Sequence, residues 1–185
     1  MSKEALIIVD VQNDFCPGGK LAVKEGAQVV EPINQLLSYG REKGWVRAAT
    51  RDWHPAVTTH FDIWPVHCVQ ETEGAEFHQN LDLKDEVVFS KGMGPEENAY
   101  SGFDGKSEEG ENLEEFLNRY FVKKVYVVGL ATDYCVKATA LDAANKGFET
   151  TVLLEACRAV NINPTDEQKA VEEMEGAGVI VTEGF

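Results

Sequence analysis

Short, nearly continuous apolar runs alternate with amphipathic stretches along most of the chain, and this alternation restricts the fold more than any other feature. The runs are Ala5 to Val9, Val46 to Ala49, Val87 to Phe89, Val125 to Val128, Thr151 to Leu154 and Val179 to Val181. Each is bounded by polar or Gly-containing turns, the pattern of a strand buried in a parallel sheet. Between several of them apolar residues recur at helical spacing: Val29, Val30, Ile33, Leu36 and Leu37; Leu113, Phe116 and Leu117; Val136, Thr139, Ala140 and Ala143; Ala170, Val171 and Met174. Parallel strands require crossovers, and crossovers are right-handed. The expectation is therefore an α/β fold: an open, mostly parallel six-stranded sheet with helices on both faces, Rossmann-like, in a single domain spanning residues 1–185. Ligands of such sheets bind beyond the carboxyl ends of the strands.

At 185 residues, 43% of them hydrophobic, the chain can bury one continuous core, and any active site must lie within that one domain. Lys and Arg number 17 against 32 Asp and Glu, a net charge of -15. Such acidity argues against nucleic acid and anionic membrane surfaces as partners, but it does not repel a small neutral substrate. The first residues run straight into a strand pattern without a basic leader, and no apolar stretch approaches membrane-spanning length, so the expected location is cytoplasmic. The sequence leaves room for a homo-oligomer. Cys16, Cys68, Cys135 and Cys157 lie far apart with no CxxC pair, which suits reduced thiols. Taken singly, each reads first as a small buried hydrophobe.

Two long segments break the alternation, Arg51 to Leu83 and Lys91 to Asn112. Loops of that length in a compact domain are usually functional or disordered. The first contains all four histidines and two of the three tryptophans, too much aromatic and imidazole content for a solvated linker. In the second, Ser107 to Glu115 reads as a solvated loop running into a helix start.

Asp10 ends the first apolar run, Arg51 and Asp52 end the second, Lys91 closely follows the third, and Ala131 to Cys135 open the helix after the fourth. These side chains converge on one edge of the expected sheet. Near a helix N-terminus, Cys135 would have its thiolate favoured by the dipole and by unpaired N–H groups, which could also receive an oxyanion. A carboxylate such as Asp10 could take the thiol proton and return it to a leaving amine, and Lys91 could stabilise the charged pair. Taken alone, each member also has a structural reading: a packing cysteine, a turn-forming aspartate, a solvated lysine. Asp52 and His54, then His60 and His67, supply N and O ligands suited to Zn²⁺, Fe²⁺ or Mn²⁺, and the Asp-x-His spacing turns both side chains to one side of an extended segment. The alternative is that these histidines are polar loop residues. His78 reads as a surface residue, Trp53 as a loop support and Asp133 as a helix cap.

Several blocks together resemble the isochorismatase-like cysteine hydrolases, and within them the branch that hydrolyses nicotinamide and pyrazinamide. They are Asp10 to Gly19, Thr50 to Pro55, Trp64 to Val69, Lys91-Gly92, Tyr100 to Phe103 and Gly129 to Val136, in the family's order over nearly the whole chain. The resemblance implies a triad of Asp10 as proton acceptor and donor, Lys91 as electrostatic partner and Cys135 as nucleophile. It implies an oxyanion hole from the N–H groups of Ala131 and Cys135 beside a cis peptide between Leu130 and Ala131. The metal ligands would be Asp52, His54 and His67, with His60 at the position of an optional fourth, and the metal zinc, iron or manganese. Phe15 and Trp64 would sandwich the substrate ring and Tyr100 would line the pocket. The implied activity is amide hydrolysis through a Cys thioester, in a route that salvages nicotinamide for NAD synthesis.

Three other readings compete. The same triad could act on an N-carbamoyl or ureido compound, or on the vinyl ether of isochorismate, but the metal block tells against these. A non-catalytic nucleotide-binding module would call for a glycine-rich phosphate loop, and no GxGxxG follows the first strand. Finally, a metal hydroxide could be the catalyst, with Cys135 merely structural.

Overall fold

The computed structural model describes residues 3–185. Six strands, β1 (Lys3–Val9), β2 (Val46–Asp52), β3 (Val87–Lys91), β4 (Val122–Leu130), β5 (Glu149–Arg158) and β6 (Ile180–Thr182), form one sheet in the order β3-β2-β1-β4-β5-β6. Every neighbouring pair is parallel. The helices are α1 (Val30–Lys43), α2 (Leu113–Arg119), α3 (Lys137–Asn145) and α4 (Asp166–Gly176). From β1 the chain winds outward to β2 and β3, then returns to β4 and winds the opposite way. Right-handed crossovers therefore place α1 on one face and α2, α3 and α4 on the other. The reversal lies between β1 and β4, the switch point where ligands of such sheets bind.

Burial follows this order. Ala5 to Val9 of β1 and Val125, Val127 and Val128 of β4 are wholly inaccessible, as central strands covered on both faces must be. The last apolar run departs from the buried-strand expectation. Strand β6 sits at the sheet edge, starts one residue later than expected and leaves Ile180 exposed. Helix α1 ends where Gly44 takes the left-handed conformation at φ 70°, and Trp45 N–H returns to the Gly40 carbonyl. A capping box between Asn112 and Glu115 starts α2, so the acidic segment does run from exposed loop into helix. Below the sheet, Glu86 is shared by Arg41 and Arg47, which ties α1 to the base of β2 and β3.

The two long segments form ordered loops at the carboxyl edge, with 3₁₀ turns at Thr59–Asp62, Glu73–Ala75 and Gly102–Asp104. Parallel register fixes what stands above that edge: Val9 pairs with both Thr50 and Gly129, and Asp52 pairs with Lys91. Gly129 is required here, because its φ is +117° and the Val9 backbone occupies the space a Cβ would need. Gly129→Ala should lower unfolding free energy by about 3 kcal/mol or more, combining left-handed strain with overpacking. Denaturant midpoints at unchanged slope would measure this, and a midpoint equal to that of the parent chain would refute it.

Candidate active site

Asp10 leaves β1 with φ 49°, a turn that directs its carboxylate over the sheet edge, where it is fully buried. Thr50, the register partner of Val9, donates its hydroxyl to Asp10 Oδ1 at 2.6 Å. Lys91 Nζ lies 2.9 Å from Asp10 Oδ2, 3.2 Å from the Ala99 carbonyl oxygen and 3.5 Å from Cys135 Sγ. It also donates a short hydrogen bond to Asp52 Oδ1. The structure thus brings the three triad residues into direct contact and adds Asp52, which sequence reasoning had placed on the metal side alone. Gln12 fixes Asp52 from behind: its side-chain amide accepts from Asp52 N–H at 2.9 Å and donates to the Asp52 and Ala75 carbonyls at 2.8 Å each.

One buried ammonium between two buried carboxylates makes those carboxylates unequal. Burial raises the Asp10 pKa, and the neighbouring Lys91 offsets this only in part while the Asp52 charge adds to it. For Asp52, burial is outweighed by Lys91 and by contacts from His54 and His67, so it stays well below the usual carboxylate range. Lys91 is held well above its ordinary value because Asp10, Asp52 and Cys135 overcome the cost of burial. Burial, opposed by Lys91 and reinforced by Asp10 and Asp52, pushes the Cys135 thiol well up. This corrects the expectation of a dipole-favoured thiolate. Cys135 sits in a π-helical turn, Thr132–Val136, ahead of α3, and is buried there.

The Leu130–Ala131 peptide is cis, as the resemblance implied, and leads into this turn. Asp133 does not cap it. Its two carboxylate oxygens accept the N–H groups of Val160 and Asn161 at 2.9 Å each, binding the loop after β5 to the nucleophile turn.

His54, His60 and His67 are buried with ligand atoms within 4.8 Å of one another. Carbonyl oxygens only accept, so His54 Nδ1 donates to Gly92 at 3.0 Å and His67 Nδ1 donates to Pro65 at 2.6 Å. In a neutral ring that donation leaves Nε2 as the ligand atom. His60 Nδ1 lies 2.7 Å from Asn98 Oδ1 and follows the same logic. Burial, aided by His54 and His67 and opposed by the Asn98 contact, lowers the His60 pKa and leaves a neutral ring. Asp52 Oδ2 stands 3.6 Å from His54 Nε2 and 3.7 Å from His67 Nε2. His54 Nε2 is buried with no hydrogen-bond partner among the described residues, a costly orphan in a site that would bind no cation. Three aligned imidazoles and one carboxylate fit a borderline divalent ion such as zinc.

Both groups open into one pocket, whose walls include Phe15, Trp64, Tyr100, Ala131 and Cys135. Trp64 Nε1 donates to the Tyr100 hydroxyl at 3.0 Å, and the Phe15 and His67 rings are 5.4 Å apart. Leu130 and Tyr134 of the nucleophile block also line it, as do Leu21, Val23 and Val160, which sequence reasoning did not single out. Their apolar character signals core, and only tertiary folding turns it toward a cavity. Trp53 lies under the Arg51 guanidinium, 3.7 Å from ring centroid, and does not line the pocket, in keeping with a loop support. His78 is half-buried outside the cluster. Cys16, Cys68 and Cys157 are buried free thiols, with burial raising Cys16 to about 11 and Cys157 to about 12.

Sheet order and the acid, ammonium and thiol contact at the switch point define an open parallel α/β fold of the isochorismatase-like hydrolase class. More narrowly, the isochorismatase domain matches residues 4–184, and the chain belongs to the isochorismatase family. It is 44% identical to the nicotinamidase/pyrazinamidase of Mycobacterium tuberculosis over 95% of this chain and 96% of that protein. It is 40% identical to the nicotinamidase of Escherichia coli over 96% of this chain and 93% of that one. Among solved structures, the pyrazinamidase of Pyrococcus horikoshii in complex with zinc superposes with a TM-score of 0.90 at 44% identity, covering 99% of both chains.

The raised Cys135 pKa has a kinetic consequence. In metal-free protein, iodoacetamide should label Cys135 slowly at pH 7, and the rate should climb about tenfold per pH unit through pH 9 as thiolate forms. Mass spectrometry of the Cys135 peptide measures the labelling; a plateau below pH 8 would contradict the raised pKa.

Proposed function

We propose that this chain hydrolyses nicotinamide to nicotinic acid and ammonia, accepts pyrazinamide in the same way, and works through a thioester on Cys135. The observation that carries this reading is the joint placement of a Cys–Lys–Asp contact and a three-histidine cluster on one aromatic-walled pocket. The activities of the relatives support the same substrate class. An amide attached to an azine ring presents two handles, a ring nitrogen and a carboxamide, and this pocket offers a partner for each. A divalent ion held by Asp52, His54, His60 and His67 would supply an open position for the ring nitrogen.

The remaining chemistry belongs to the chain. Cys135 passes its proton to Asp10, the carboxylate whose raised pKa suits it to proton exchange, and sulfur attacks the carboxamide carbon. The resulting oxyanion faces the N–H groups of Ala131 and Cys135. Collapse breaks the C–N bond, and Asp10 gives its proton to the departing ammonia. Water, deprotonated by Asp10, then attacks the thioester, releasing the acid and restoring the thiol. Throughout, Lys91 holds the Asp10 carboxylate and faces the sulfur, stabilising negative charge on either.

Partners beyond the small substrate are not required. The acidic surface disfavours polyanions, and among the described residues no helix is long and apolar enough to cross a membrane. A cytoplasmic location accords with buried reduced thiols and with a metabolite substrate.

Ammonia release from nicotinamide, measured on untreated, chelator-treated and metal-restored protein, tests the reading. Activity should fall on chelation, return with metal, and drop by about a thousandfold or more in Cys135→Ala. Full turnover by Cys135→Ala would instead support metal-hydroxide catalysis, and hydrolysis of ureido compounds in place of nicotinamide would reassign the substrate.

A further inference from the structure

The segment following β3 touches every part of the site. The Gly92 carbonyl receives His54 Nδ1–H, the Ala99 carbonyl receives Lys91 Nζ, and the Tyr100 hydroxyl receives Trp64 Nε1–H. Pro95 accepts Thr59 N–H at 2.8 Å, which fastens the turn bearing His60 to the same segment. Within it, Asn98 is exposed, yet its amide oxygen lies 2.7 Å from His60 Nδ1. This is the one side-chain hydrogen bond Asn98 makes among the described residues. His54 and His67 are oriented by backbone carbonyls, which persist whatever the side chain. His60 alone depends on a side chain for its tautomer.

We infer that Asn98 is a positioning residue for the metal: its amide oxygen holds His60 in the Nδ1–H form and aims Nε2 into the cluster, making His60 a ligand. The inference rests on the reading that Asp52 and the three histidines hold a divalent ion. An imidazole without such a partner divides its population between tautomers and ring orientations, and only one of these binds. Loss of an outer partner of this kind lowers metal affinity by about 10- to 100-fold. Asn98 is exposed and is itself neither a pocket-lining nor a core residue, so its truncation opens no cavity in the core.

The test is Zn²⁺ affinity of metal-free protein, by competition with a chromophoric chelator, for the parent chain, Asn98→Ala, Asn98→Asp, His60→Ala and the double variant Asn98→Ala/His60→Ala. Asn98→Ala should bind about 10- to 100-fold more weakly. Asn98→Asp keeps the acceptor and should bind at least as tightly as the parent. The double variant should match His60→Ala, since both changes act on one ligand. The visible spectrum of the Co²⁺-loaded Asn98→Ala protein should shift toward that of His60→Ala, while its metal-free thermal melt stays that of the parent. Unchanged zinc affinity in Asn98→Ala, or a further loss when it is added to His60→Ala, overturns the inference. Failure of the parent chain to bind zinc overturns the metal reading as well. Nicotinamide hydrolysis together with unchanged Asn98→Ala affinity overturns only the role of Asn98.

Discussion

A single ammonium, that of Lys91, stands with no solvent exposure between two buried carboxylates, and the arrangement of the site depends on it. Burying any one of these charges alone would cost several kcal/mol. The set is tolerable because every member has a partner: Asp10 has Thr50 and Lys91, Asp52 has Lys91 and the backbone clasp of Gln12 below it, and Lys91 has the Ala99 carbonyl as well. Two carboxylates and one cation still leave an unbalanced negative charge. That imbalance falls on Asp10 and Cys135, whose pKa values are both raised, and spares Asp52. In the proposed reaction, protons would be exchanged at Asp10 and Cys135, while Asp52 would stay ionised.

The parallel sheet brings most of this set together. Asp52 and Lys91 are register partners on adjacent strands, and Thr50 lies beside Val9, one residue before Asp10. A one-residue slip would turn each side chain to the other face, so the buried hydrophobic strands that set register also set catalytic geometry. Gly129 contributes by letting β4 pass against Val9 just before the turn that bears Cys135.

Much of this was legible in the chain. Apolar runs marked the strands, and strand ends marked Asp10, Asp52 and Lys91, because in such a sheet the end of a strand is the place of chemistry. Local spacing also brought out the three histidines. The features that escaped were contacts between distant segments: Gln12 reaching Asp52 40 residues on, Asn98 reaching His60, and Asp133 gripping the backbone of Val160 and Asn161. An amide or carboxylate carries no local sign of which backbone it will meet. The thiol state of Cys135 escaped for a different reason. A helix terminus can be read from sequence, but burial, the largest influence on its titration, is a property of the whole fold.

Asp52 joins the two halves of the site. Its Oδ1 takes Lys91 while its Oδ2 faces His54 and His67, so one carboxylate touches both the buried ammonium and the histidine cluster. With neutral imidazoles, the buried set of Asp10, Asp52 and Lys91 is net negative, and that opposes a thiolate. A divalent cation among the histidines would make the same set net positive, and a thiolate would then bring it toward neutrality. By reversing the sign of the local charge, such a cation would lower the cost of a thiolate formed by proton loss to solvent, and the coupling would pass through Asp52, whose position in β2 is settled by strand register.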